Sequence, residues 1–219
     1  MAEKLEIYDL SGRFIGIKDR AKFYKEIESE FQKKGKITKK VKSIRLILLN
    51  SSGKIYVQIR SDEKERNPGL YDKSIGGHLK VGHSWDLTVV KECHEELGFP
   101  TVVLDNDEFR EAIHTTDLRI IALTRKLEHI ETFLSINNNK GKKIEQPFIT
   151  TMYLCYFDGP INFCDGEAHG IHSFKIDKLI EKIEESPELF TEDLKFMIER
   201  YKEYLIPIAD IKQKKVKGF

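Results

Sequence analysis

The apolar and polar positions of this chain switch between a period of two and a period of three to four. Residues 6–17, EIYDLSGRFIGI, hold two short β-type runs around a Ser-Gly turn. Phe23, Ile27 and Phe31 then recur every fourth position, which predicts an amphipathic helix stopped by Gly35. Residues 42–60, KSIRLILLNSSGKIYVQIR, read as a hairpin, because two β-rich runs flank the turn-forming Asn50, Ser51, Ser52 and Gly53. In its second strand Ile55, Val57 and Ile59 share one face, and Tyr56, Gln58 and Arg60 share the other. A polar loop over 61–74 leads into GGHLKVGHSWDLTVVKECHEELGF, residues 76–99. There Val89, Val90, Cys93 and Leu97 form the apolar stripe of a helix, with Ser84 placed to cap its start and Gly98 to end it.

Further on, TVVL (101–104) is a short strand and DEFREAI (107–113) a short helix. Leu123, Leu127, Ile130 and Leu134 fit helical spacing, and we assign a helix over 117–136, although the β-branched content of LRIIALT also allows a strand. NNNKGKK (137–143) reads as a polar loop. PFITTMYLCYFDG (147–159) and GIHSFKI (170–176) are strands. DKLIEKIEE (177–185) and EDLKFMIERYKEYLI (192–206) close the chain as helices, the second capped by Thr191. His169 and His172 stand an odd number of residues apart on a strand, so they face opposite ways and are not read as a metal pair. With no internal repeat and no evident boundary, the expectation is one domain over residues 1–219. Its fold class is α/β (α+β), strands interleaved with helices in layers.

Composition narrows the function. Of the 219 residues 40% are hydrophobic, enough for a real core, and 33% are charged, yet the signs nearly cancel at +1. No global field argues for nucleic acid or an anionic membrane. The cysteines Cys93, Cys155 and Cys164 are too few for a disulfide framework and lack zinc spacing, which is consistent with reduced thiols in a cytoplasmic protein. The first residues lack the apolar core of a signal peptide, and no apolar run approaches the roughly 18 residues that span a bilayer.

Glu92, Glu95 and Glu96 crowd into five positions at the end of a helix, within a ~100° arc beside the apolar stripe. Partial negative charge at a helix C-terminus disfavours each acid by about 0.3–1 kcal/mol. Mutual repulsion adds about 0.2–0.5 kcal/mol per pair. Every contribution has the same sign, and a divalent cation would reverse it, since magnesium takes oxygen ligands from a few carboxylates and from substrate phosphates. A solvated acidic face, with Lys91 paired to Glu95 one turn on, is the plainer alternative.

The spacing adds weight to the metal reading. This stretch resembles the Nudix box, G-x5-E-x7-R-E-U-x-E-E-x-G-U with U a bulky apolar residue, the signature of hydrolases acting on nucleoside diphosphates linked to another group. Gly77, Glu92, Cys93, Glu95, Glu96, Gly98 and Phe99 fit it in register. The resemblance implies an α/β/α sandwich with a mixed sheet over about 40–180, with an N-terminal extension (1–39) that includes a helix and a C-terminal helical extension (181–219). It also implies Mg2+ or Mn2+ held by Glu92, Glu95 and Glu96 with a backbone carbonyl near Gly76 and Gly77, one glutamate acting as general base. Two positions depart. His83 replaces the first glutamate and Lys91 the arginine, so the ion pair that commonly ties loop to helix in the family is expected to be missing.

Residues 48–78 look like the branch that contains isopentenyl-diphosphate isomerase and its hydrolase-like relatives, with Q-x-R-S-x2-K, P-G-x-[WY]-D and G-G-H. By that resemblance Arg60 and Lys64 contact the substrate diphosphate, a task that suits two cations bracketing a loop. The isomerase needs a cysteine where Gly76 stands, and its two upstream metal-binding histidines have no counterpart here. His78 keeps the G-H histidine and is open to a metal, substrate or loop-supporting role. Residues 166–181 resemble the family's ending, with Glu167 a candidate supporting acid or base and Ser173 in place of the usual tryptophan. The expected activity is therefore metal-dependent hydrolysis of a diphosphate bond in a small molecule. A degenerate nucleotide-binding and regulatory Nudix module is the alternative, and the isomerase a further one. A homodimer is left open. Substrate-selecting residues are expected within 61–74 and 124–150.

Overall fold

The computed structural model describes residues 3–139, 142–162 and 168–211. Strand β3 (Lys39–Leu49) is the hub. It pairs antiparallel with β1 (Lys4–Asp9) at its start, with β6 (Ile75–His78) along its middle and with β4 (Ile55–Arg60) at its end. Its other edge runs parallel to β9 (Lys142–Tyr156), from Val41↔Phe148 to Leu49↔Tyr156. The sheet continues in the order β10 (Ala168–Phe174), β4, β3, β9, β8 (Ala122–Asn139), β7 (Thr101–Leu104). The β7–β8 pairing is also parallel, so the sheet is mixed, as expected. β2 (Phe14–Asp19) pairs with β1, and the short β5 (Tyr71–Asp72) with β4.

Alternation along β3 sorts the core into two layers. Ile44, Leu46 and Leu48 pack on one face against Val89, Cys93 and Leu97 of α2 (Trp85–Leu97). Ile47 and Leu49 face the other way. There α3 (Asn106–Ala112), α4 (Ile176–Glu185), α5 (Glu192–Tyr201) and α6 (Ile208–Ile211) cover the sheet through Phe109, Leu179, Leu194, Met197 and Ile211. Helices on both faces of a mixed sheet make the anticipated α/β/α sandwich. A third cluster holds the N-terminal hairpin and α1 (Arg20–Lys34) to the start of β3: Phe23 and Ile27, fully buried, meet Leu5, Ile7, Val41 and Phe148. Each such side chain stabilises by roughly 1.5–3 kcal/mol. Gly35 ends α1 in the left-handed conformation at φ 68°, as its position predicts. Among the described residues no helix is long and apolar enough to cross a membrane.

Two expectations fail, both along one hairpin. Residues 122–139 are a strand, not part of a helix, and pair antiparallel with β9. The register slips between Lys126 and Glu128 and again between Ile130 and Phe133. A bulge inserts a residue and re-aims those that follow. Two bulges therefore spread Leu123, Leu127, Ile130 and Leu134 to helix-like spacing, and Leu134 ends up exposed. The described residues of the Asn/Lys run, 137–139 and 142–143, are strand and not loop. Asn137, Asn138 and Asn139 extend β8 and pair with Ile144, Lys143 and Lys142.

Candidate active site

Helix α2 is fixed at both ends by the residues the sequence marks. The Ser84 hydroxyl accepts from the Leu87 amide at 3.1 Å, and Gly98 at φ 73° closes the last turn. With Val89, Cys93 and Leu97 fully buried, the rotation of the helix is set, and so are the directions of its acids. Glu96 is buried, and its carboxylate accepts from Gln58 Nε2 at 2.9 Å. Half-buried Glu92 lies against β6, where a Cβ on Gly77 would stand 2.4 Å from the Glu92 carboxyl carbon. Gly77 is thus a glycine because of this close approach. Glu95 is exposed and turns to two lysines, 3.8 Å from Lys91 and 3.9 Å from Lys80. The Lys91 pair is the one its spacing allows. Lys80 adds a tie between loop and helix in the region where the family's usual brace is replaced. Among the described residues no three or more metal-ligating side chains converge on one point. Glu92 and Glu96 face the strands and Glu95 the lysines.

Gly76 and Gly77 also line a cavity of about 380 Å³ that includes Arg60 and Lys64. Its walls carry six cationic side chains (Arg20, Arg45, Arg60, Lys64, Arg66, Lys73) against four carboxylates (Glu28, Glu65, Asp72, Asp193), an excess that favours an anionic occupant. Arg60 is held by Asp72 at 2.9 Å and by the Arg66 carbonyl at 3.0 and 3.2 Å. Asp72 also accepts from the Thr191 hydroxyl at 2.7 Å and from the Lys73 amide and amine. Burial alone would raise the Asp72 carboxyl, but Lys73 and Arg60 beside it, with these hydrogen bonds, hold it well below the usual carboxylate range. The Lys73 side chain crosses Gly76, where a Cβ would lie 2.5 Å from Lys73 Cε. The place of the isomerase's cysteine is therefore overlain by a lysine. Deeper in, Arg45 pairs with Asp193 at 2.7 Å and donates to Ser43 and Thr150, its guanidinium lying over Phe133 and Phe148.

A hydrogen-bonded row forms another wall. Arg66 donates to Gln146 Oε1 at 2.6 Å, Gln146 Nε2 donates to Tyr24 Oη at 3.4 Å, and Tyr24 meets His78 Nε2 at 2.6 Å. The Tyr24 hydroxyl, which can donate one hydrogen bond and accept two, thus links the Gln146 amide to the His78 imidazole. Burial, with Arg20, Arg45, Arg66 and Lys73 nearby, holds His78 well below its ordinary value and favours the neutral imidazole. The loop after β4 is pinned from the opposite side. Asn67, at φ 50°, exchanges hydrogen bonds with Asn137 and Asn138 of β8.

Of the residues expected from sequence, Arg60, Lys64, Gly77 and His78 share the cavity, and Glu92 touches its wall at Gly77. Glu167, like Cys164, lies outside the described residues. His169 meets Ser61 and Asp62 while His172 meets Tyr71, so the two do not form a pair. Burial and the neighbouring Cys155 push the Cys93 thiol well up, which leaves it inert. Sequence reading missed Tyr24, Arg45, Arg66, Lys73, Gln146 and Asp193. Only Gln58 had a signal, its place on the polar face of β4.

Comparisons with known proteins agree with this picture. Residues 39–194 match the NUDIX domain family model. An uncharacterized Nudix hydrolase, all7351, of Nostoc sp. is 30% identical over 96 residues, 44% of this chain; the match spans about half, 51%, of that protein's length. Isopentenyl-diphosphate Delta-isomerase of Serratia proteamaculans is 24% identical over 146 residues, 67% of this chain and 68% of that protein. In fold, the crystal structure of DR0079 from Deinococcus radiodurans superposes with a TM-score of 0.60 at 16% identity, covering 90% of this chain and 98% of that one. With the family model matched over most of its length, and the glutamate-rich helix and its glycine strand in register, the chain belongs to the Nudix family.

Proposed function

We propose that the protein hydrolyses a diphosphate bond in a nucleoside diphosphate linked to another group, or in a similar small molecule, with Mg2+ or Mn2+. The observation that carries this reading is the abutment of Glu92 on Gly77, which brings the acidic end of α2 to the wall of a cation-rich cavity. The donor chemistry, carboxylate oxygens from Glu92, Glu95 and Glu96 and a backbone carbonyl at Gly77, suits a hard divalent cation, with Glu95 having to swing from Lys80 and Lys91 to join the set. When bound, the cation supplies Lewis-acid stabilisation of charge on the bridging phosphates. Arg60 and Lys64 hold the outer phosphate. Asp72 keeps the Arg60 guanidinium oriented before substrate arrives. Glu92 or Glu96 positions the attacking water and takes its proton, with Gln58 steadying Glu96.

The isomerase reading is disfavoured because Gly76, under the Lys73 side chain, stands where that reaction needs a cysteine. The degenerate binding module is favoured only by His83 and Lys91. A panel of nucleotide sugars and dinucleotides with magnesium, read by mass spectrometry, separates the readings. Hydrolysis releases two phosphorylated products from at least one compound. Substitution Glu96→Gln then lowers its turnover by about 10²–10⁴-fold, and full turnover of this variant at saturating magnesium would sink the assignment. Ligand-dependent thermal stabilisation without product release would favour the binder.

A further inference from the structure

The N-terminal hairpin and α1 lie before the matched Nudix residues 39–194, yet Arg20, Tyr24 and Glu28 of α1 line the cavity. They are not loosely apposed. Phe23 and Ile27, on the same helix, are fully buried in the cluster that includes Val41 and Phe148, so α1 is a fixed wall. That wall is polar. The Tyr24 hydroxyl stands between His78 at 2.6 Å and Gln146 at 3.4 Å, and Arg66 lies over the Tyr24 ring at 5.0 Å and reaches Glu28 at 3.5 Å. Hydroxyl, amide, guanidinium and carboxylate together offer both donors and acceptors to an occupant. An aliphatic group pressed on them would bury these groups without replacing their solvent, at a cost. A hydroxylated or heterocyclic group would replace it.

We infer, building on the hydrolase reading above, that α1 is a specificity element of the active site: Tyr24 and Glu28 select a polar, hydroxyl-bearing group linked to the diphosphate and reject an aliphatic one. Tyr24 acts here through substrate fit and not in the chemical step.

The test uses the full-length chain with magnesium and two probes that differ beyond the diphosphate, ADP-ribose and isopentenyl diphosphate. Kinetic constants are measured for wild type, Tyr24→Phe, Tyr24→Leu and Glu28→Gln, with thermal melting as the folding control. The expected result is a KM for ADP-ribose raised about 3–10-fold in Tyr24→Phe, as for one lost hydrogen bond. Tyr24→Leu should raise it further, with kcat within about twofold and any constants for isopentenyl diphosphate unmoved. Equal changes for both probes, or none for either, would overturn the inference. If wild type releases no product from ADP-ribose, the probe is followed by thermal shift instead. Stabilisation lost in Tyr24→Phe and Glu28→Gln then keeps the wall assignment while the hydrolase reading fails. Absence of any ADP-ribose binding overturns the wall assignment itself.

Discussion

Two charged regions of this molecule are built on opposite plans. Around the cavity, opposite charges interlock: Arg45 with Asp193, and Arg60 and Lys73 with Asp72, at 2.7–3.2 Å and mostly buried. At the end of α2, three like charges gather beside a glycine strand, where Glu96 accepts from the neutral amide of Gln58 and the exposed Glu95 lies near Lys80 and Lys91. Internally matched charges make a scaffold that holds its shape. Charges of one sign gathered at a helix end raise the energy of the protein alone, and an added cation lowers it. On the proposed reading, the contrast is between charge used for structure and charge kept for a ligand.

The contrast can be broken at the scaffold first. Replacing Asp193 by alanine strands a buried guanidinium, and urea unfolding should show a loss of about 3–5 kcal/mol. A loss below about 1 kcal/mol would mean that the Arg45 network is not structural. At the acid end the ordering reverses. In Gly77→Ala the new methyl must push the Glu92 carboxylate aside, a movement at the tip of a flexible side chain. Turnover should fall about tenfold or more while the melting temperature changes little; a variant that unfolds instead would place Gly77 in the scaffold.

Acid sensitivity offers a subtler probe. Because the folded Asp72 carboxyl is held below its unfolded value of about 3.9, its contribution is present above that pH and is lost as pH falls toward the folded value. Wild type should therefore lose stability more steeply below about pH 4 than Asp72→Asn does. Parallel curves in acid titrations followed by circular dichroism would remove Asp72 from the account. The smallest effect belongs to the exposed loop tie. Lys80→Ala should cost no more than about 1 kcal/mol, and less in high salt. A larger loss would show that Lys80 has replaced the family's brace in full.

The parts of this architecture that were legible in sequence are those governed by local rules. Ser84, Thr191, Gly35 and Gly98 cap or end their helices because capping depends on neighbours within four residues. The shared helix end of the glutamates was legible because it follows from the spacing of a single helix, although their side chains turn to different partners. Strand β8 was not, since its two bulges are set by pairing with β9 and leave only a misleading spacing behind. The cavity was hidden for a similar reason. Arg45, Lys73, Gln146 and Asp193 come from four segments far apart in the chain, and each alone looks like an ordinary surface charge or amide. Tyr24 gave no hint at all, as its position on α1 matters only once β1 docks on β3.

The parallel pairing of β3 with β9 also has a consequence for how the molecule comes into being. It joins residues such as Ser43 and Thr150, 107 positions apart, and every wall of the cavity is attached to one of these two strands or to a neighbour of one. Contacts so distant in sequence form slowly. On the ribosome, the glutamate helix and the β3–β4 hairpin emerge well before β9 does, so a nascent chain carries its acids long before it has a cavity beside them. On the proposed function, metal affinity and substrate affinity are acquired separately during synthesis, the second only after β9 has been inserted.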